Sequence, residues 1–276
     1  MKKRTKKKLR QYSWNGVKAL AKGVFYYPIK GIWWLISKGA SQIQERSKNA
    51  DVGAKQGRKT VEPFFESFVE IKSKKGDTGN FEKYLFSNKS TIGLILGARG
   101  TGKSALGMRL LENFSSKTGK NIYAMGFDAA SLPRWINVVD SIDQIKNNSV
   151  ILIDEGGIEF SSRKAMTNAN KLLSEILLIA RHKDLNVIFI TQNSANLEVN
   201  AIRQADYLLL KPSSLLQKDF ERKKIKEVYE SVDEEFAQLK GTQGLLYIYS
   251  DAFRGFATNS LPSFWSESVS KGYAKR

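Results

Sequence analysis

The 276-residue chain has no cysteine and a single histidine, His182. The first absence removes disulfides and thiolate-held metals and suits a reducing interior. The second leaves a histidine metal site or a histidine-based triad short of members, so His182 is expected to fix local helix geometry or touch a neighbouring subunit. Long hydrophobic runs are missing too. The apolar stretches near the N-terminus are broken by lysines well short of the roughly 20 residues a spanning helix needs. No small-residue cleavage site follows them cleanly, so a cleaved leader is not expected. Acids are scarce at one end only: residues 1–48 hold thirteen Lys and Arg against one acid, Glu45, which places 13 − 1 = +12 of the formal +18 there. The remaining +6 is ordinary for a soluble domain.

Charge of this size points to a polyanionic partner, either nucleic acid or an anionic membrane face. Seven of the positive residues fall in MKKRTKKKLR. Behind them, Val17, Leu20, Ala21, Val24, Phe25, Ile29, Ile32, Trp33, Ile36 and Ile43 recur at helical spacing, interrupted by Lys18, Lys22, Lys30 and Lys38 and kinked at Pro28. This amphipathic helical arm reads as an interfacial helix, with aromatic rings at headgroup depth and lysines on the polar side. Each basic residue near such a surface contributes about 1 kcal/mol. The competing reading is a helix packed on the protein's own core or on another subunit, behind a DNA-binding tail.

The rest divides into a linker with a short amphipathic helix in VEPFFESFVEIK (51–80), a catalytic domain (81–260) and a C-terminal tail (261–276) that docks through Phe264 and Trp265. From Phe81 to Tyr249, strands TIGLIL, NIYAMGF, VILID, NVIFIT, DYLLLK and GLLYIYS alternate with helices. Near-continuous apolar strands predict an α/β fold, a mainly parallel sheet with helices on both faces. The segment FERKKIKEVYESVDEEFAQL reads as one mixed-charge helix, on the surface or at a subunit contact.

Chemistry concentrates at Gly97-Ala98-Arg99-Gly100-Thr101-Gly102-Lys103-Ser104, which satisfies G-x-x-x-x-G-K-[ST] between an apolar strand and a helix. The glycines let backbone amides converge on a phosphate, and the helix adds its positive end. Lys103 reaches the β- and γ-phosphates of ATP, and Ser104 ligates Mg²⁺. Arg99 faces solvent or a neighbour. In SVILIDEGG, a buried strand delivers Asp154 to its tip as the second Mg²⁺ holder, on a strand expected beside the loop's own. Glu155 follows, placed to deprotonate an attacking water. Gln192 ends NVIFIT at the same sheet edge, where it senses the γ-phosphate or positions water.

These stretches, with ARHKDLNVIFITQ and AIRQADYLLL, resemble the HerA/FtsK superfamily of P-loop motors, and within it zonula-occludens-toxin-like and viral genome-packaging ATPases. The resemblance covers roughly residues 90–250. It implies a RecA/ASCE-like P-loop NTPase and a homo-oligomer, a hexamer in the family pattern, with ATP between subunits. It also implies an arginine supplied in trans, with Arg203 the first candidate and Arg181 and Arg163 next. The function implied is an ATP-hydrolysing motor that translocates double-stranded DNA without reading sequence, as a genome-packaging ATPase does. Residues 1–48 would meet an anionic membrane or a virion or portal component, at the cytoplasmic membrane face or in the virion. Two other readings stay open: a membrane-associated ATPase for virion assembly or export, and a nucleotide-switched scaffold. A small-molecule kinase fits poorly, because DAASLPRWINVVDSIDQIKNNS carries one arginine where an arginine-rich lid is needed.

Overall fold

The computed structural model describes residues 58, 60–154, 174–197 and 199–271. The chain divides into two compact units, Met1–Gly57 and Arg58–Arg276. The first, and with it the expected basic arm, lies outside the described residues. So do Glu155 and Arg163.

Among the described residues nine strands form one sheet: β1 (Val69–Gly76), β2 (Thr91–Leu96), β3 (Asn121–Met125), β4 (Ile136–Val138), β5 (Ser149–Asp154), β6 (Leu185–Ile190), β7 (Tyr207–Leu210), β8 (Leu245–Ser250) and β9 (Phe253–Thr258), in the order β1-β9-β8-β7-β2-β6-β5-β3-β4. The block from β7 to β4 is parallel. At the β7 edge β8, β9 and β1 continue the sheet antiparallel. Every residue of β2, β5 and β6 is buried. Such strands must be covered on both faces, and they are.

Alternating side chains feed two cores. Ile92, Leu94 and Leu96 join Ile151, Ile153, Val187 and Phe189 on one face. Ile95, Leu152, Ile188 and Ile190 lie on the other. The second face is covered by α2 (Lys103–Lys117), through Leu106, Leu110, Leu111 and Phe114. The first is covered by α3 (174–180), through Ile176 and Ala180. α1 (Thr78–Ser87) packs Phe81 and Leu85 into the same core as α2.

Two sequence expectations are corrected. Residues 61–72 form no helix: 61–68 run without regular structure, and β1 begins at Val69. The backbone amides of Phe64, Glu66 and Phe68 donate to the side chains of Glu112 (3.2 Å), Asn113 (3.1 Å) and Glu82 (2.7 Å) rather than to carbonyls one turn back. Helical phenylalanine spacing loses to acceptors waiting on α1 and α2. The segment from Phe220 to Leu239 is not one helix either. α4 (Val199–Arg203) precedes β7, and α5 (Leu215–Phe220), α6 (Lys223–Glu230) and α7 (Asp233–Gln238) follow it. Ile225, Val228, Tyr229 and Phe236 are core residues, whereas Phe220 is 68 % exposed. The break at Glu221 has a cause. Its carboxylate accepts from the backbone amide of Ser194 (2.7 Å), and the Ser194 hydroxyl accepts from the amide of Arg222 (2.9 Å).

Phe264 is buried and meets Trp135 edge-on with centroids 5.5 Å apart. α8 (Glu267–Lys271) follows.

Candidate nucleotide site

β2 delivers its chain to Gly97 at the edge where the parallel strands end. Gly97 (φ 147°), Gly100 (φ 80°) and Gly102 (φ 88°) all have positive φ. At Gly97 the demand is also steric, because a Cβ there would lie 2.6 Å from the Cβ of Lys211. The loop is pinned at its base by Ala98, whose amide donates to Pro212 O (3.0 Å), and across its turn by the Thr101 hydroxyl on Ala98 O (2.7 Å). Gly102 opens α2 with no side-chain cap. The first-turn amides of a fifteen-residue helix therefore face the loop's concavity, an arrangement that favours an anion.

Lys103 folds across that concavity. Its ammonium donates to Gly97 O (2.8 Å) and Ala98 O (3.0 Å). Burial holds its pKa below the ordinary lysine value, and Asp154 pulls the other way. Ser104 turns toward β5, and its hydroxyl donates to Asp154 Oδ2 at 3.2 Å. Asp154 is 6 % exposed. The expectation that its strand lies beside β2 is corrected, because β6 pairs with both and separates them. Residue 104, on α2 above the sheet, spans the gap. An alcohol and a carboxylate oxygen so placed are hard donors of the kind a hydrated Mg²⁺ takes, so the residues present fit that ion. The glycine cradle and the uncapped helix likewise fit phosphate.

The fold is that of a P-loop NTPase. No protein-family model and no curated protein matches the chain. Among solved structures it is similar to the genome packaging NTPase B204 of Sulfolobus turreted icosahedral virus 2 in complex with AMPPCP. That match has 16 % identity and a TM-score of 0.42, covering 63 % of this chain and 100 % of that one. It is similar also to EssC (ATPases 2 and 3) from Geobacillus thermodenitrificans, at 13 % identity and TM-score 0.41, over 75 % of this chain and 49 % of that one. A KaiC-like protein from Pyrococcus horikoshii matches at 13 % identity and TM-score 0.39, over 71 % and 93 %.

The other sequence-derived candidates fall in two places. Gln192 follows β6 and is exposed at the edge that carries the P-loop and Asp154, and its backbone carbonyl accepts from the Gln217 amide. Arg99 is exposed at the loop's apex. Arg181 and Arg203 are exposed at the opposite edge, where β6 and β7 begin. A six-residue strand spans about 20 Å, so neither reaches the P-loop of its own chain. His182 is exposed beside Arg181.

One residue of the site was not singled out from sequence. Lys211, the last residue of DYLLLK, is 1 % exposed beneath Gly97, and its ammonium donates to Gly244 O (2.9 Å) and Asn259 Oδ1 (2.8 Å). Its backbone closes the loop's floor, with its amide on Leu96 O (2.8 Å) and its carbonyl accepting from Tyr229 OH (3.1 Å). Neutral partners do not offset burial, which pushes its pKa down to about 7. The signal available was a lysine closing an apolar run, which reads as a strand end.

A pH dependence follows. Between about pH 7 and 9.5 the unfolded chain holds a proton on Lys211 that the folded chain lacks, so raising the pH favours the folded state. Over two pH units the gain is about 2–3 kcal/mol. Denaturant midpoints should rise more steeply over this window in the native protein than in Lys211→Met. Equal slopes in both would remove Lys211 as the cause.

Proposed function

We propose that the protein is an ATP-hydrolysing motor that translocates double-stranded DNA, in the manner of a viral genome-packaging ATPase. The observation that carries hydrolysis is the meeting of Ser104 and Asp154 at 3.2 Å beside the Lys103 ammonium. Here three groups suited to a nucleoside triphosphate arrive from two non-adjacent strands. The amides of Gly97–Ser104 bind and orient the phosphates. Lys103 leaves the carbonyls of Gly97 and Ala98 for the β- and γ-phosphate oxygens, where its charge is worth more than against neutral dipoles. Ser104 and Asp154 would hold Mg²⁺, which when bound would supply positive charge against the phosphate oxygens. Glu155, next in sequence after Asp154, takes the proton of the attacking water. Gln192, just past the end of the strand between β2 and β5, orients that water.

Arg203 and Arg181 act on a neighbour's nucleotide in this reading, with Arg163 the third candidate. The place of Arg181 and Arg203 at the far edge supports a role in trans, since those two cannot serve their own loop. The assembly is then a homo-oligomer, a hexamer in the family pattern. DNA as cargo is supported by the +12 of residues 1–48 and by the resemblance of ARHKDLNVIFITQ and its flanks to packaging motors. Phosphate gripping needs positive charge and no base readout. The aromatic and lysine pattern of residues 12–45 supports a second placement of the same ATPase, peripheral at a membrane and driving virion assembly or export.

The test is ATP turnover by the full chain with and without double-stranded DNA, beside Glu155→Gln. Stimulation by DNA is expected, and the variant should bind nucleotide without turning it over. Equal turnover with and without DNA would remove translocation and leave the export reading. Negligible turnover of the native assembly would leave a nucleotide switch.

A further inference from the structure

The proposed hydrolysis makes no use of Lys211, although this lysine lies directly under the loop. β7 sets it there: pairing with β2 puts Leu210 beside Leu96, and the next residue comes up beneath Gly97. Its side chain also forms part of the wall of a cavity of about 550 Å³ that Thr101 and Gly102 line. Other buried cations of the described residues have a carboxylate. Arg109 meets Glu112 and Glu66, Lys218 meets Asp233, and Asp154 favours the charge on Lys103. Lys211 has only neutral acceptors, Gly244 O and Asn259 Oδ1.

Few titratable groups face it. From the loop comes Lys103, a second cation, held on Gly97 O and Ala98 O. From α6 comes the phenol of Tyr229, which donates to Lys211 O and which burial keeps neutral by pushing its pKa well up. From the strap that leads into β1 comes Glu66, which lines the same cavity but is engaged by Arg109 at 3.4 Å and by the Ser260 hydroxyl at 2.5 Å. α2 adds Ala105 to that wall, and the turns around β8 and β9 add Gln243, Gly244, Thr258, Asn259 and Ser260, all uncharged.

A buried ammonium with no counter-charge tends to lose its proton, and here burial brings the pKa down to about 7. A polyanion in the loop immediately above is the counter-charge that the site lacks. We infer that a polyphosphate entering the loop draws a proton onto Lys211, which links nucleotide affinity to pH through a residue that does not touch the ligand. The inference rests on the phosphate-site reading above and adds a group that answers to the ligand's charge. The linkage is reciprocal, so a protonated Lys211 favours the ligand by the factor with which the ligand favours the proton. The sign follows. At pH 8 the empty protein holds Lys211 mostly neutral and the filled one holds it charged, so binding takes up protons and this part of the affinity falls as pH rises. If the ligand raises the pKa by about one pH unit, the uptake at pH 8 is about 0.4 proton, and binding is about fivefold weaker at pH 9 than at pH 7 from this source.

Calorimetric titration of the full chain with inorganic tripolyphosphate and Mg²⁺ at pH 8, repeated in buffers of different ionisation enthalpy, counts those protons. The native protein should take up about 0.4 proton more than Lys211→Met. Its affinity should also fall more steeply between about pH 7 and 9. Protons exchanged by the ligand and by Lys103 are common to both proteins. Lys211→Met loses two hydrogen bonds as well as the charge, so Asn259→Asp serves as a second variant. It keeps the ammonium and puts a carboxylate where Asn259 Oδ1 lies, 2.8 Å away, which holds the proton before any ligand arrives. Asn259→Asp should bind tripolyphosphate with its uptake lowered to the Lys211→Met count. A count equal to the native one in Asn259→Asp, or in folded Lys211→Met, would overturn the linkage whatever the change in affinity, and leave Lys211 a structural tie. Binding of tripolyphosphate to none of the three proteins would overturn the phosphate site and this inference together. Turnover and DNA stimulation enter none of these titrations, so the motor reading fails separately.

Discussion

Lys103→Met is expected to lower ATP turnover by at least two to three orders of magnitude, about the cost of removing one preorganised donor from a developing oxyanion. The same substitution should leave the nucleotide-free protein as stable as before, or more so. The ammonium is buried against two carbonyls, and burial already lowers its pKa. A methionine of similar length removes a charge that the empty loop holds at a cost. Opposite signs in turnover and stability mark a group kept for its ligand. Turnover by stopped assay and a denaturant midpoint on the same preparation check both halves. A lysine kept for structure would show the reverse, with a lower midpoint and modest kinetic loss.

Much of this site could be read from residue order. A glycine loop between a fully buried strand and a helix has few other uses, and the apolar run ending in Asp154 names its own sheet edge. β2, β3, β5, β6, β7 and β8 were all legible because strands buried on both faces carry almost unbroken apolar runs. β1, β4 and β9 were not. β1 is exposed at every residue and rich in lysine, so no pattern of burial marks it. β4 has three residues. β9 carries Gly255 at its middle, where a Cβ would lie 2.4 Å from Lys72 O, so the close approach of β1 dictates a residue that reads as a turn.

What the sequence hid has a common origin in contacts distant along the chain. The Ser104–Asp154 pair depends on β6 being laid between strands that precede it in sequence. The phenylalanine-rich strap at 61–68 is held straight by side chains 14 to 48 residues away. Lys211 matters because Gly97, Gly244 and Asn259 converge on it from three parts of the chain. Local spacing describes buried runs and loops with fixed chemistry. It is silent on which side chain straightens a strap or fills a floor.

Glu112→Ala should be the most destabilising single change on α2. Glu112 is 0 % exposed, and its carboxylate pairs with Arg109 at 2.9 Å while accepting from the amides of Phe64 (3.2 Å) and Ser263 (2.9 Å) and from the Ser263 hydroxyl. Its loss leaves a buried guanidinium, already short of a partner at Nε, with only the half-exposed Glu66 as counter-charge. Breaking a buried pair from one side costs about 3–5 kcal/mol. The damage should appear first where the carboxylate reached, so limited proteolysis is expected within 60–68 and 258–265 before the sheet opens. Arg109→Met/Glu112→Leu removes both charges and should recover much of the loss. The double variant should still cleave faster at the two straps, because Phe64 and Ser263 lose Glu112 in both variants and Glu66 and Leu261 also lose Arg109 in the double one. A double variant no more stable than Glu112→Ala would mean that the unpaired guanidinium is not the main cost.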